Sequence, residues 1–87
     1  MDNYKIEFDN FDKSKFNGYS RLHYGTLKIE KLKFSFIVYE VYVSEVDYHT
    51  FSCEFIEGSP QNSKDFCVKI IEQTKTKLNI KWQEEIN

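Results

Sequence analysis

The sequence predicts an α+β domain, a mainly antiparallel β-meander of about four strands packed on one C-terminal α-helix. Three observations predict it. Apolar and polar residues alternate at period two through much of residues 4–57, and the breaks between these runs are of hairpin length. After Gly58-Ser59-Pro60 the apolar residues recur at helical spacing instead. Short connections between consecutive strands favour antiparallel pairing.

The first strand is marked by Tyr4, Ile6 and Phe8 alternating with Lys5 and Glu7. Across Asp9 to Ser20, Asn17-Gly18 between Phe16 and Tyr19 has the chemistry of a two-residue hairpin turn. A short helical turn over Phe11–Phe16 is the alternative. A second strand covers Arg21 to Glu30, with Leu22 and Tyr24 on one face and Leu27 and Ile29 on the other. A bulge at Gly25 is the expected cause of that change of face. The third strand, Lys33 to Ser44, is dense in β-branched and aromatic residues. A turn near Glu45–Tyr48 leads to a fourth strand, His49 to Glu57, whose His49, Phe51, Cys53 and Phe55 oppose Thr50, Ser52 and Glu54.

Ser59 is the expected helix cap, with Pro60 at the first helical position, where a missing N–H costs nothing. Phe66, Cys67, Ile70, Ile71, Thr74 and Leu78 form one apolar stripe. Leu78-Asn79-Ile80 reads as a stop, after which Ile80 and Trp82 begin a short fifth strand. The alternative is continued helix to Glu85.

At 87 residues the chain is expected to form a single domain, spanning 1–87. Hydrophobic residues at 40%, aromatics at 17% and a net charge of −2 fit a folded chain rather than a disordered one. Twelve basic against 14 acidic residues give no bulk field for nucleic acid or an anionic membrane. No apolar run reaches membrane-spanning length and the polar start lacks a signal-peptide core, so a cytoplasmic protein is expected. Two cysteines, Cys53 and Cys67, are too few for a secreted disulfide scaffold and are expected reduced and buried, with a single bridge between strand and helix as the alternative. The chain has no alanine and one arginine but many Lys, Asn, Ile, Phe and Tyr, whose codons are AT-rich. A low-GC host, its phage or a mobile element is the expected source.

The third strand carries the functional argument. Ser35, Ile37, Tyr39, Val41 and Val43 share one face; Phe34, Phe36, Val38 and Tyr42 share the other. A strand with one wet side should show a polar face, and neither of these is one. A helix of about 18 residues, roughly 27 Å long and 10 Å wide, covers one face of a small sheet only. Burying four aromatic rings at about 150–250 Å² each is worth more than about 10 kcal/mol at roughly 25 cal/mol per Å², comparable to the stability of a whole domain. The expected core is Phe51, Cys53, Phe55, Ile37, Tyr39, Val41, Phe66, Ile70 and Ile71. The expected partner-binding face is Phe34, Phe36, Tyr42, Tyr24 and Leu22. Cover from Asp9–Ser20, with Phe11, Phe16 and Tyr19, is the alternative.

Sites for chemistry are scarce. Gly18, Gly25 and Gly58 are isolated, so there is no phosphate-binding loop. His49, Cys53, Cys67 and His23 are zinc-ligand types, but ligands four apart on a strand are separated by about 13 Å, too far for one ion. Glu45, Asp47 and His49 alternate like an acid–histidine pair but fall in a turn without a nucleophile. No catalytic residue, metal or cofactor is therefore expected. Lys64, Lys69, Glu72, Lys75 and Lys77 read as the solvated face of the helix. The sequence thus points to a small protein-binding module of inhibitor or accessory type, working through a protein partner or as a homodimer. The alternative is a single-stranded nucleic-acid-binding protein stacking bases on sheet aromatics beside Lys28, Lys31 and Lys33.

Overall fold

In a computed structural model of the chain, residues 3–9 and 20–78 are described. They form one open sheet of four antiparallel strands and one C-terminal helix, the α+β arrangement expected. The strands are β1 (Tyr4–Asp9), β2 (Ser20–Ile29), β3 (Leu32–Val43) and β4 (Tyr48–Ile56), in the order β1-β2-β3-β4; the helix is α1 (Ser63–Leu78). The Asn17-Gly18 turn, its alternative over Phe11–Phe16, cover of the sheet by Phe11, Phe16 and Tyr19, and the Ile80–Trp82 strand or its helical alternative to Glu85 all fall outside the described residues. Among the described residues no helix is long and apolar enough to cross a membrane.

Register decides which side chains meet the helix. β2 and β3 pair without interruption from Ser20↔Val41 to Ile29↔Leu32, so Gly25 is not a bulge. Leu22 and Tyr24 differ in face from Leu27 and Ile29 simply because their positions differ in parity. Gly25 instead gives room. A Cβ there would lie 2.3 Å from Cζ of Phe36 and 2.4 Å from the Glu7 carbonyl oxygen. The Phe36 ring meets Phe8 edge to face, with centroids 5.5 Å apart, across the strand that Gly25 leaves bare.

The β2–β3 connection is only Glu30-Lys31, and Glu30 sits in the left-handed region at φ 55°. A side chain is costly in that region, by about 1–2 kcal/mol. Glu30→Gly is therefore expected to raise the urea midpoint, a gain of about 0.5–1 kcal/mol after glycine's own entropy cost; an unchanged or lower midpoint would refute it. Left-handed residues also carry the chain from β4 to α1: Glu57 (φ 64°), Gly58 (φ 123°) and Asn62 (φ 60°).

The helix begins later than expected. Ser59 and Pro60 lie in the turn, Pro60 buried, and the first helical hydrogen bond runs from Phe66 N–H to the Asn62 carbonyl at 3.2 Å. The stripe holds: Phe66, Ile70, Thr74 and Leu78 are buried, Cys67 and Ile71 half-buried. Buried Thr74 satisfies its hydroxyl by donating to the Ile70 carbonyl at 2.8 Å. The core joins Phe66 and Ile70 to Leu27, Phe36 and Val38. Tyr4, Ile6, Phe8, Phe34, Phe51, Cys53 and Phe55 pack around it. Near the helix C-terminus, the ammonium groups of Lys75 and Lys77 lie over the rings of Phe51 and Phe8, 5.7 and 5.6 Å from the centroids.

One expectation is reversed. Phe34, Phe36 and Val38 face α1, and Ile37, Tyr39 and Val41, expected in the core, lie on the opposite face. Periodicity could not choose between two apolar faces. Pairing does, because Phe36 stands opposite Gly25 and Phe55, both of helix-facing parity.

Candidate functional site

The structure separates the five residues expected to form a single surface. Phe36 is completely buried and Phe34 half-buried, their rings packed among Phe8, Phe55 and the helix. Tyr42 is on the same side of the sheet, its hydroxyl donating to Asp47 Oδ1 at 2.7 Å. That acceptor pushes the Tyr42 phenol pKa upward. Leu22 and Tyr24 remain on the open face, 46% and 47% exposed.

The surplus of apolar side chains is therefore real but sits on the other parity of β3. Leu22 pairs with Tyr39 and Tyr24 with Ile37, and Val41, 42% exposed, is diagonal to Leu22. Ile37 is buried between Tyr24 and Glu54 on the flanking strands. Around this patch stand Ser20, Thr26, Ser35, Thr50 and Ser52, all uncharged. Charges are confined to its margins. Asp9 and Glu54 end the row through Tyr24 and Ile37, and Lys5, Lys28 and Lys33 occupy one end of the face. Glu7 bridges Lys28 at 2.9 Å and Lys5 at 3.1 Å, and these ammonium groups lower its carboxyl pKa. An apolar centre inside a polar margin is the anatomy of a protein interface.

The helix-facing side holds a second cluster, which the sequence reading missed. α1 is about 24 Å long and β3 about 40 Å, so the apolar stripe cannot reach the far end of the sheet. There Glu40 lies with its carboxylate fully buried. Arg21 Nε and Nη2 donate to its two oxygens at 2.7 and 3.1 Å, a bidentate pair from the strand directly opposite. His23 Nε2 lies 2.9 Å from one oxygen and His49 Nδ1 2.6 Å from the other. An ionised carboxylate only accepts, so both ring nitrogens are donors. Burial alone pushes the Glu40 pKa up, and it is the largest single effect. The hydrogen bonds from His23, Arg21 and His49 together outweigh it and hold the group at about 2.

A carboxylate orienting imidazoles resembles a general-base pair. Here the carboxylate is 0% exposed, His23 2%, Arg21 8% and His49 11%, so the carboxylate itself is closed to solvent. The cluster instead ties β2, β3 and β4 together on the helix-facing side of the sheet. The acid facing His49 is thus Glu40, while Glu45 and Asp47 lie exposed in the preceding turn. Among the described residues no three His, Cys, Asp or Glu side chains are grouped to hold a metal ion.

Compared with known proteins, the chain matches no family model, no curated protein and no solved structure.

Proposed function

We propose that this chain is a protein-binding module that pairs with a second copy of itself, open sheet face against open sheet face. The observation that carries the reading is the uncharged patch of Leu22, Tyr24, Ile37, Tyr39 and Val41 on the open sheet face, with Leu22, Tyr24 and Val41 between 42% and 47% exposed. A two-fold contact sets each patch against its own equivalent. An uncharged centre can do this without placing like charges together, whereas a charged one cannot.

The dimensions support it. Four strands about 4.8 Å apart and about ten residues long present a face of roughly 600 Å², before side-chain relief is counted. A standard interface buries about 800 Å² of accessible surface on each partner. Tyrosines at the centre supply large contact area with little conformational entropy to lose. A dimeric accessory or inhibitor-type protein, acting in the cytoplasm of a low-GC host, its phage or a mobile element, is the role this composition supports.

Size-exclusion chromatography with light scattering is expected to give twice the 10.5 kDa chain mass. Tyr24→Asp places a charge at the centre of both faces and is expected to raise the dissociation constant by about 30-fold or more, with an unchanged circular dichroism spectrum. A chain that stays monomeric at about 100 μM, where even a weak specific dimer assembles, would overturn self-pairing. In that event, salt-dependent retention of a single-stranded oligonucleotide, lost on changing Tyr24 or Tyr39, would point to base stacking.

A further inference from the structure

Two thiols meet where the helix crosses the edge of the sheet. Cys53 lies on the helix-facing side of edge strand β4, and Cys67 in the second turn of α1. Cys67 Sγ donates to the Cys53 carbonyl oxygen at 3.4 Å, which brings the second turn of α1 against the Cys53 position of β4. Both are reduced and half-buried. Both also line an open cleft of about 480 Å³ together with Ser59, Ser63, Lys64 and Ile71. The cleft gives a small reagent access to sulfurs that a closed core would protect.

We propose that Cys53 and Cys67 are a redox-active dithiol, which a low-molecular-weight disulfide converts into an intramolecular bridge tying α1 to β4. The step is a pair of thiol–disulfide exchanges. Cys67 gives up its proton and attacks one sulfur of the reagent; the reagent's S–S bond breaks, and its other half leaves and takes up a proton as free thiol. Cys53 then gives up its proton and attacks the Cys67 sulfur of the mixed disulfide, releasing the second half as thiol. The two protein sulfurs are oxidised by two electrons and the reagent is reduced to two thiols. The order follows from the surroundings of Cys53. Burial foremost, then the neighbouring Cys67 thiol, pushes the Cys53 pKa far up, so Cys53 is a poor first nucleophile. Once its partner is a mixed disulfide on the adjoining helix turn, proximity compensates.

The bridge closes a 15-residue loop through the β4–α1 turn. Oxidised glutathione, added to the reduced full chain, tests it. The expected product has lost two hydrogens by intact mass and carries no glutathione. It no longer alkylates at either cysteine and melts about 10–20 °C higher, an effect that dithiothreitol reverses. In Cys53→Ser the reaction stops with one glutathione on Cys67. In Cys67→Ser the remaining thiol forms no bridge, and the mass gains at most one glutathione. A glutathione adduct that persists on the unsubstituted chain would overturn the proposal, as would disulfide-linked dimers. Thiols that stay fully alkylatable, under conditions where the urea-unfolded chain is oxidised, would overturn it equally.

Discussion

Replacing Glu40 by glutamine is expected to cost about 3–5 kcal/mol of unfolding free energy, as befits removal of one partner from a buried ion pair. A chain of this size has a total of only about 4–13 kcal/mol. Glutamine keeps the shape but points an amide NH₂ at donors that had a carboxylate, and it removes the charge that the nearly buried Arg21 guanidinium meets in a bidentate pair. Urea unfolding at neutral pH should show a midpoint far below that of the parent chain, with a similar slope. Exposed Glu54 provides the control, since Glu54→Gln should change stability by no more than about 0.5 kcal/mol. A loss below about 1 kcal/mol for Glu40→Gln would show that the cluster contributes little.

The same carboxylate sets the acid limit of the fold. Its pKa is about 2 folded against an ordinary 4.5, a depressed value, so its contribution is complete above pH 4.5 and lost as pH falls towards 2. The interval corresponds to about 3 kcal/mol. Glu7, whose pKa is also lowered, lies at the surface and is common to both chains. The difference between parent and Glu40→Gln stability curves should therefore shrink between pH 4.5 and 2. A difference constant across that interval would show that Glu40 is not the group being protonated.

The strands and the helix were legible in the sequence because each rests on a local pattern. Tyr4-Ile6-Phe8, the aromatic and β-branched run of β3, and the Phe66–Leu78 stripe each carry their own periodicity. What failed depended on pairing between distant residues. Nothing within β3 states which apolar face looks at the helix. Its partners Arg21, His23 and His49 stand 19, 17 and 9 residues away, so no short motif joins them. One signal could have found them. A two-residue turn at Glu30-Lys31 fixes the register and sets Arg21 opposite Glu40. That turn contains neither glycine nor asparagine, and it went unread because Glu30 takes the left-handed conformation without the residue type that announces it. The helix start was misplaced for a related reason. Ser59-Pro60 has cap chemistry, but Glu57 and Gly58 turn the chain first, and the helix begins once Asn62 has turned it again.

Gly25→Ala is the second large effect to expect, with a cost of about 3 kcal/mol. One methyl group there would sit 2.3 Å from the Phe36 ring and 2.4 Å from a backbone oxygen of β1. A ring tip can swing aside, but the Glu7 carbonyl belongs to the β1–β2 pairing and cannot move without loosening it. The ring itself has little freedom, being fully buried and set edge-on against Phe8. Overpacking of this kind costs about 1–3 kcal/mol even when only side chains must adjust, and here a strand must shift as well. Shortening the ring should separate the two contacts. Phe36→Leu alone leaves a cavity and is expected to be destabilising by about 1–3 kcal/mol. Combined with Gly25→Ala, however, the two losses should sum to less than their separate values, because the added methyl occupies space the ring has vacated. A double-mutant cycle in urea measures this directly. Strict additivity would place the cost of the methyl at the Glu7 carbonyl alone, and a Gly25→Ala chain as stable as its parent would mean that the sheet does not need a bare position beneath Phe8 and Phe36.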